Sequence, residues 1–149
     1  MPVLAEVPTV SEPIRFHFAV DGENFSSAGE ASVTVKKKLR QMGYPNDVIR
    51  KVSVAMYEGE INMVIHAGGG EADIEVGEEE IVIILRDRGP GIPDVALAMQ
   101  EGYSTARDNI RALGFGAGMG LPNMKKYTDD MQIDTEVGVG TTITMKVRL

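Results

Sequence analysis

The stretch "EEIVIILRDRGPGIPD", residues 79–94, decides how the rest of the chain is read. Ile81 to Leu85 form an unbroken apolar run between flanking acids and Arg86, the length and composition of a buried strand. That strand ends on Asp87 and enters a loop with Gly89 and Gly91 on either side of Pro90. A carboxylate at the end of a buried strand costs free energy unless it is paired. Glycine at such a junction lets the backbone approach a ligand closely or take a positive φ. The strand end therefore raises the question of what Asp87 meets.

Working outward, "EADIEVG" (71–77) reads as a second strand, joined to the first by a short turn as a hairpin. Ahead of it a long helix runs to about Ala67, with Asn46 or Asp47 as its cap and Gly68 to Gly70 as its stop. "ASVTVKKKLRQMG" (31–43) is a shorter helix closing on Gly43. Ile14 to Val20 alternates as a strand, with Ile14, Phe16, Phe18 and Val20 on one side and Arg15 and His17 on the other. His17 is accordingly a sheet-face residue. Residues 1–13 carry three prolines and read as an extended leader, which leaves 14–149 as one domain. Downstream come a short helix near Val95 to Gln100, a weakly periodic connection, and a helix over "LPNMKKYTDD" with Pro122 in its first turn. Two closing strands flank Gly138-Val139-Gly140. The order β-α-α-β-β-(α)-α-β-β predicts an α+β fold. It would be a two-layer α/β sandwich with a mostly antiparallel mixed sheet and helices on one face.

Composition narrows the function. A length of 149 residues, 43% of them hydrophobic and 25% charged, suits one globular domain with a sizeable core. A formal charge of -7 argues against nucleic acid or an anionic membrane as the main partner, since both require a basic surface. With no cysteine, a disulfide framework, a thiolate metal site and a cysteine nucleophile are all excluded. The N-terminal stretch lacks a basic region followed by an apolar one, and no apolar run is long enough to span a bilayer, so the cytoplasm is the expected compartment.

The 17 glycines are clustered: Gly89 and Gly91, then Gly114, Gly116, Gly118 and Gly120, then Gly138 and Gly140. Neither a P-loop nor a Rossmann fingerprint fits them. Gly118 and Gly120 precede a helix whose N-terminal amides would meet phosphate oxygens, the alternative being a plain glycine linker. On the long helix, Glu58, Asn62 and His66 fall at i, i+4 and i+8 on one drifting stripe. Such a stripe is ordinarily a solvated face. An acid and an amide one turn apart also suit a proton acceptor beside an oxygen ligand for Mg²⁺. Glu60 points to roughly the opposite side and is expected to face solvent. His66 is expected to serve in helix-end packing or capping. Gly59 in a helix interior costs about 1 kcal/mol relative to Ala, which implies either a locally loosened helix or a neighbour packed too closely for a side chain.

Four segments, "YEGEINMVIHA", "RDRGPGIPD", "GFGAGMGLPNMKK" and "GVGTTITMKV", occur in the order and spacing of the nucleotide site of the GHKL (Bergerat-fold) ATPases and kinases. The chain resembles that superfamily over residues 14–149. Its short length and the His four places after Asn62 resemble the bacterial anti-sigma-factor serine/threonine kinases. The sequence departs from them in the segment Tyr57-Glu58-Gly59-Glu60-Ile61, where the family carries small residues.

The resemblance implies a set of roles. Glu58 would be the general base, acting on a protein serine or on water, and Asn62 would hold Mg²⁺ against the ATP phosphates. Asp87 would accept a hydrogen bond from the adenine amino group, with Gly89, Gly91 and Ile92 turning beneath the base and Thr141 or Thr142 beside it. Gly116, Gly118, Gly120 and Leu121 would line the phosphates, and the segment from about Asp94 to Gly114 would form the lid, with Arg107 and Arg111 as γ-phosphate partners. Lys125 and Lys126 read as surface charges. The implied partners are ATP and ADP, an anti-sigma-factor antagonist, a sigma factor, and a second copy in a homodimer. Three functions fit: a protein serine/threonine kinase, a non-catalytic ATP-gated binding module, or a slow ATPase subunit of a larger assembly.

Overall fold

A computed structural model describes residues 12–100 and 120–149. Helix α2 (Asn46–Ala67) is its central element. Val48, Ile49, Val52, Ala55, Met56, Gly59, Met63 and Val64 are all buried, a stripe at three- and four-residue spacing that must find an apolar surface. It finds two. One is the shorter helix α1 (Glu30–Gln41), through Val35 and Leu39; the other is the sheet.

The described strands are β1 (Ile14–Asp21), β2 (Gly69–Val76), β3 (Glu80–Asp87), β4 (Asp130–Glu136) and β5 (Gly140–Arg148), hydrogen-bonded in the order β1-β2-β3-β5-β4. Among the described residues every pairing is antiparallel, in line with the mostly antiparallel sheet expected. Ile74, Ile81, Ile83, Met145 and Val147 are fully buried on the helix-covered face, each contributing about 1.5–3 kcal/mol through removal from water. The other face carries His17, Asp73, Arg86 and Lys146. There His17 Nδ1 lies 2.7 Å from Asp73 Oδ1, and Arg86 donates to Asp73 Oδ2 at 2.7 Å, as befits a sheet-face histidine.

Helix ends follow the sequence in part. α1 closes on Gly43 at φ +85°, where the amides of Gly43 and Tyr44 donate back to the carbonyls of Arg40 and Leu39. α2 stops at Gly68 in the left-handed region. Its start differs from expectation. Asn46 is already the first helical residue after an extended Pro45, and neither Asn46 nor Asp47 supplies a side-chain cap. Two short helices complete the layer: α3 (Val95–Ala98), capped by Asp94, and α4 (Gly120–Lys126). The leader read over 1–13 lies outside the described residues up to residue 11. Among the described residues, no helix is long and apolar enough to cross a membrane.

Candidate nucleotide site

Asp87 ends β3 on the same side of the sheet as Leu85, Ile83 and Ile81, beneath α2. Its carboxylate is half-buried, and the chain itself supplies part of its pairing. Oδ1 accepts the amide of Gly89 at 2.9 Å and the amide of Thr141 at 3.2 Å. Oδ2 accepts no hydrogen bond among the described residues. One oxygen is therefore fixed by backbone, and the other is oriented and available.

Of the two threonines, the structure brings only Thr141 to Asp87. The two residues are register partners, and Thr141 is buried in phase with Ile143, Met145 and Val147. Thr142 pairs with Arg86 and projects from the opposite face, so it does not line this site. Thr135, which sequence reasoning missed, completes the corner. Its hydroxyl lies 2.9 Å from that of Thr141 and accepts the amide of Ile92 at 2.8 Å.

Gly91 has a different use from the one expected. It takes φ +80°, and a Cβ there would fall 2.6 Å from the carbonyl oxygen of Glu136. The amide of Gly138 donates to the carbonyl of Pro90 at 2.9 Å. The loop after β3 is thus seated on the β4–β5 turn, so the freedom of Gly91 serves that backbone contact. Gly89 lies against the end of α2, where a Cβ would meet Ala67 at 2.6 Å. This contact joins the Asp87 corner to the helix that carries Glu58 and Asn62.

Along α2 the polar stripe meets α4. A Cβ on Gly120 would lie 2.8 Å from Asn62 Nδ2 and 2.9 Å from Oδ1, so the amide of Asn62 rests on the first residue of α4. Burial raises the Glu58 carboxyl above its ordinary value, with the Asn123 side chain opposing that rise. Burial lowers the His66 imidazole from its ordinary value. Leu121 and Met124 are buried and seat α4 in the core, whereas Lys125 and Lys126 are exposed. Gly116, Gly118, Arg107 and Arg111 lie outside the described residues.

Glu60 overturns its sequence reading. It is 2% exposed, not solvent-facing. Its Oε2 accepts the amides of Gly29 at 2.8 Å and Ala31 at 3.2 Å, and its Oε1 accepts that of Ser32 at 3.0 Å. These are orphan donors at the start of α1, whose cap residue Gly29 has no side chain to satisfy them. The carboxylate also opposes the positive end of the helix dipole. Gly59 proves to be the packing case: a Cβ there would fall 2.0 Å from Leu85 Cδ1.

The residues present suit a purine nucleotide and a magnesium ion. An oriented carboxylate oxygen at Asp87 matches an exocyclic amine. The amide oxygen of Asn62 is the hard donor that Mg²⁺ takes alongside phosphates and water. An antiparallel sheet under helices, an acid and an amide one turn apart, and an aspartate at the strand end together define a nucleotide-binding domain of the GHKL class. The chain belongs to the histidine kinase-like ATPase family, which it matches over residues 24–147, and to the anti-sigma kinases within it.

Its relatives include the serine/threonine-protein kinase RsbT of Bacillus subtilis, 32% identical over 108 residues that cover 70% of this chain and 75% of RsbT. The anti-sigma F factor of Bacillus licheniformis is 32% identical over 136 residues, covering 87% and 86% of the two chains. Among solved structures, the RsbU and RsbW domains of a Mycobacterium tuberculosis protein superpose with a TM-score of 0.63 at 17% identity. That match covers 91% of this chain and 32% of the other, and the likeness is one of fold.

Proposed function

We propose that this protein is an ATP-dependent serine/threonine kinase of the anti-sigma type that phosphorylates a regulatory protein, an anti-sigma-factor antagonist. The observation that carries the nucleotide half of this reading is Asp87. Its Oδ1 is tied to Gly89 and Thr141, and its Oδ2 is left oriented on the helix-covered face. A half-buried acceptor held by two amides is a device for reading a donor, and the adenine amine is such a donor.

In the kinase reading, ATP supplies the transferable phosphoryl group, and Mg²⁺ when bound would neutralise charge on its phosphates. Asn62 would hold the ion through its amide oxygen. Glu58 accepts the proton of the attacking serine or threonine hydroxyl, a role suited to a carboxyl raised toward neutral pH by burial. Asp87 orients the base, with Thr141 and Ile92 beside it, and Gly120 and Leu121 begin the helix on the phosphate side. Added phosphate changes the charge of the substrate protein and so its choice of partner.

The test is transfer of label from γ-labelled Mg-ATP to a panel of purified anti-sigma-factor antagonists. A labelled serine or threonine in one of them, absent with Glu58→Ala, supports the kinase. ATP-dependent binding of an antagonist without label would instead identify a gated binding module.

A further inference from the structure

We propose that the outer face of α1 and α2, with the end of α4, is a docking surface for an acidic protein, whose carboxylates meet positive charges that this chain leaves uncompensated.

The two layers of the fold treat their cations differently. Every Lys and Arg of the described strands has a carboxylate within 4.0 Å: Arg15 has Glu75 at 3.8 Å, Arg86 has Asp73 at 2.7 Å, Lys146 has Glu80 at 3.9 Å and Arg148 has Asp130 at 3.0 Å. Helices α1, α2 and α4 carry eight Lys and Arg against four acids, one of which is the buried Glu60. Among the described residues none of those eight has a carboxylate within 4.0 Å. The positive excess is local, since the whole chain stands at -7.

The geometry gathers these cations. Glu60 near the end of α2 meets the first turn of α1, and residues 42–45 link the other two ends, so the helices are antiparallel. A Cβ on Gly29 would lie 2.9 Å from Tyr57 Cε1, which sets the register of the two outer stripes. Seven residues forward from Gly29 reach Lys36, and seven back from Tyr57 reach Arg50, each step about 10.5 Å along its helix. Lys36 and Arg50 therefore stand opposite one another across the seam, both exposed, with exposed Arg40 one turn beyond Lys36. Arg50 Nη2 donates to Tyr127 Oη at 3.3 Å, its guanidinium lies 5.5 Å from the ring centroid, and Lys126 Nζ lies 5.6 Å from the same ring. An aromatic ring orders both cations without neutralising them.

A protein fits this face better than a membrane or a duplex. Val33 and Tyr57 are 50% and 39% exposed beside the cations, and aromatic, apolar and Arg side chains together are the make-up of a protein interface. An extended polyanion would also meet the acid-rich remainder of the chain, whereas screening beyond about 8 Å lets a compact partner engage the helices alone. A second copy is a poorer match, because Glu75 and Asp73 on its open sheet face already have Arg15 and Arg86.

The probe is a fluorescein-labelled peptide of repeated Glu-Glu-Leu, titrated with the full chain by anisotropy at low and at physiological salt. A short DNA duplex and vesicles of phosphatidylcholine with phosphatidylglycerol are titrated in parallel. The peptide should bind, more tightly at low salt. Lys36→Gln/Arg50→Gln should weaken it about tenfold, and Lys146→Gln on the sheet should leave it unchanged. Thermal melting tests the seam separately. Lys36→Glu should raise the midpoint by about 1–3 °C more in the wild-type background than in Arg50→Gln. No peptide binding, equal binding by Lys36→Gln/Arg50→Gln, or equal midpoint changes in the two backgrounds would overturn the proposal. Tighter binding of the duplex or the vesicles than of the peptide would overturn it too. So would self-association of the wild type that Lys36→Gln/Arg50→Gln abolishes, which would give the face to a second copy. None of these readouts uses ATP, so a failed nucleotide reading leaves the test intact.

Discussion

Glu58 and Glu60 stand two positions apart on α2 and face different surroundings: Glu58 is half-buried on the stripe that meets α4 at Asn62, while Glu60 is buried against the first turn of α1. Two residues span about 200° of helix, so one acid can join the site while the other ties the helix layer together. Their sequence neighbourhood is nearly identical, and their chemistry is set by what lies opposite.

Glu60→Gln should therefore destabilise the fold by about 2–4 kcal/mol, since a charge-assisted acceptor of three backbone amides is replaced by a group that carries donors of its own. Urea denaturation at pH 7 measures this. A change below about 0.5 kcal/mol, the range of ordinary surface substitutions, would contradict the assignment.

Gly59→Ala sets two effects against each other. Helix propensity favours Ala by about 1 kcal/mol. The new methyl would press on Leu85 Cδ1, which lies 2.0 Å from its ideal position, and overpacking of a filled core costs about 1–3 kcal/mol. Packing should win, giving a net loss of roughly 1 kcal/mol. The double variant with Leu85→Ala should show a favourable coupling that the single losses do not add up to.

Asp87→Asn separates recognition from folding. The variant keeps an acceptor for the Gly89 and Thr141 amides but turns the other oxygen into a donor facing the adenine amine. ATP affinity should fall by about 10- to 100-fold with a stability change under about 1 kcal/mol. Asp87→Ala leaves the two amides unpaired and should lower both, with a stability loss of about 1–3 kcal/mol. Paired calorimetry and denaturation distinguish the two variants.

Glu58 gives a pH signature. Its carboxyl is raised in the folded protein, so folding favours the protonated form. The stability it contributes is fully present below the unfolded carboxyl range and is lost as pH rises through the folded value. Glu58→Gln should thus be more stable than the wild type at pH 7 and no more stable at pH 3. Denaturation midpoints at the two pH values decide it, and a variant less stable at pH 7 would contradict the assigned burial.

Much of this was legible in the sequence for definite reasons. The turn glycines Gly43 and Gly68, the apolar run Ile81 to Leu85 and the hairpin around Gly138 are local signals, and the structure reproduces them. The phase of Ile143, Met145 and Val147 already marked Thr141 as the inner threonine, a period-two signal that a reading of Thr141 and Thr142 as alternatives passed over. Glu60 was illegible because its partners Gly29, Ala31 and Ser32 lie about thirty residues away and offer only backbone. Local sequence determines which face a residue occupies, whereas the partner on that face depends on how helices settle on the sheet.

The central claim is that Asp87, Asn62 and Glu58 belong to one Mg-ATP site. Calorimetric titration of the protein with ATP, with and without Mg²⁺, tests it most directly, alongside Asp87→Ala and Asn62→Ala. The account predicts micromolar binding that Asp87→Ala abolishes with or without the metal and that Asn62→Ala reduces to the metal-free level. No binding at millimolar ATP, or wild-type binding by both variants, would contradict it.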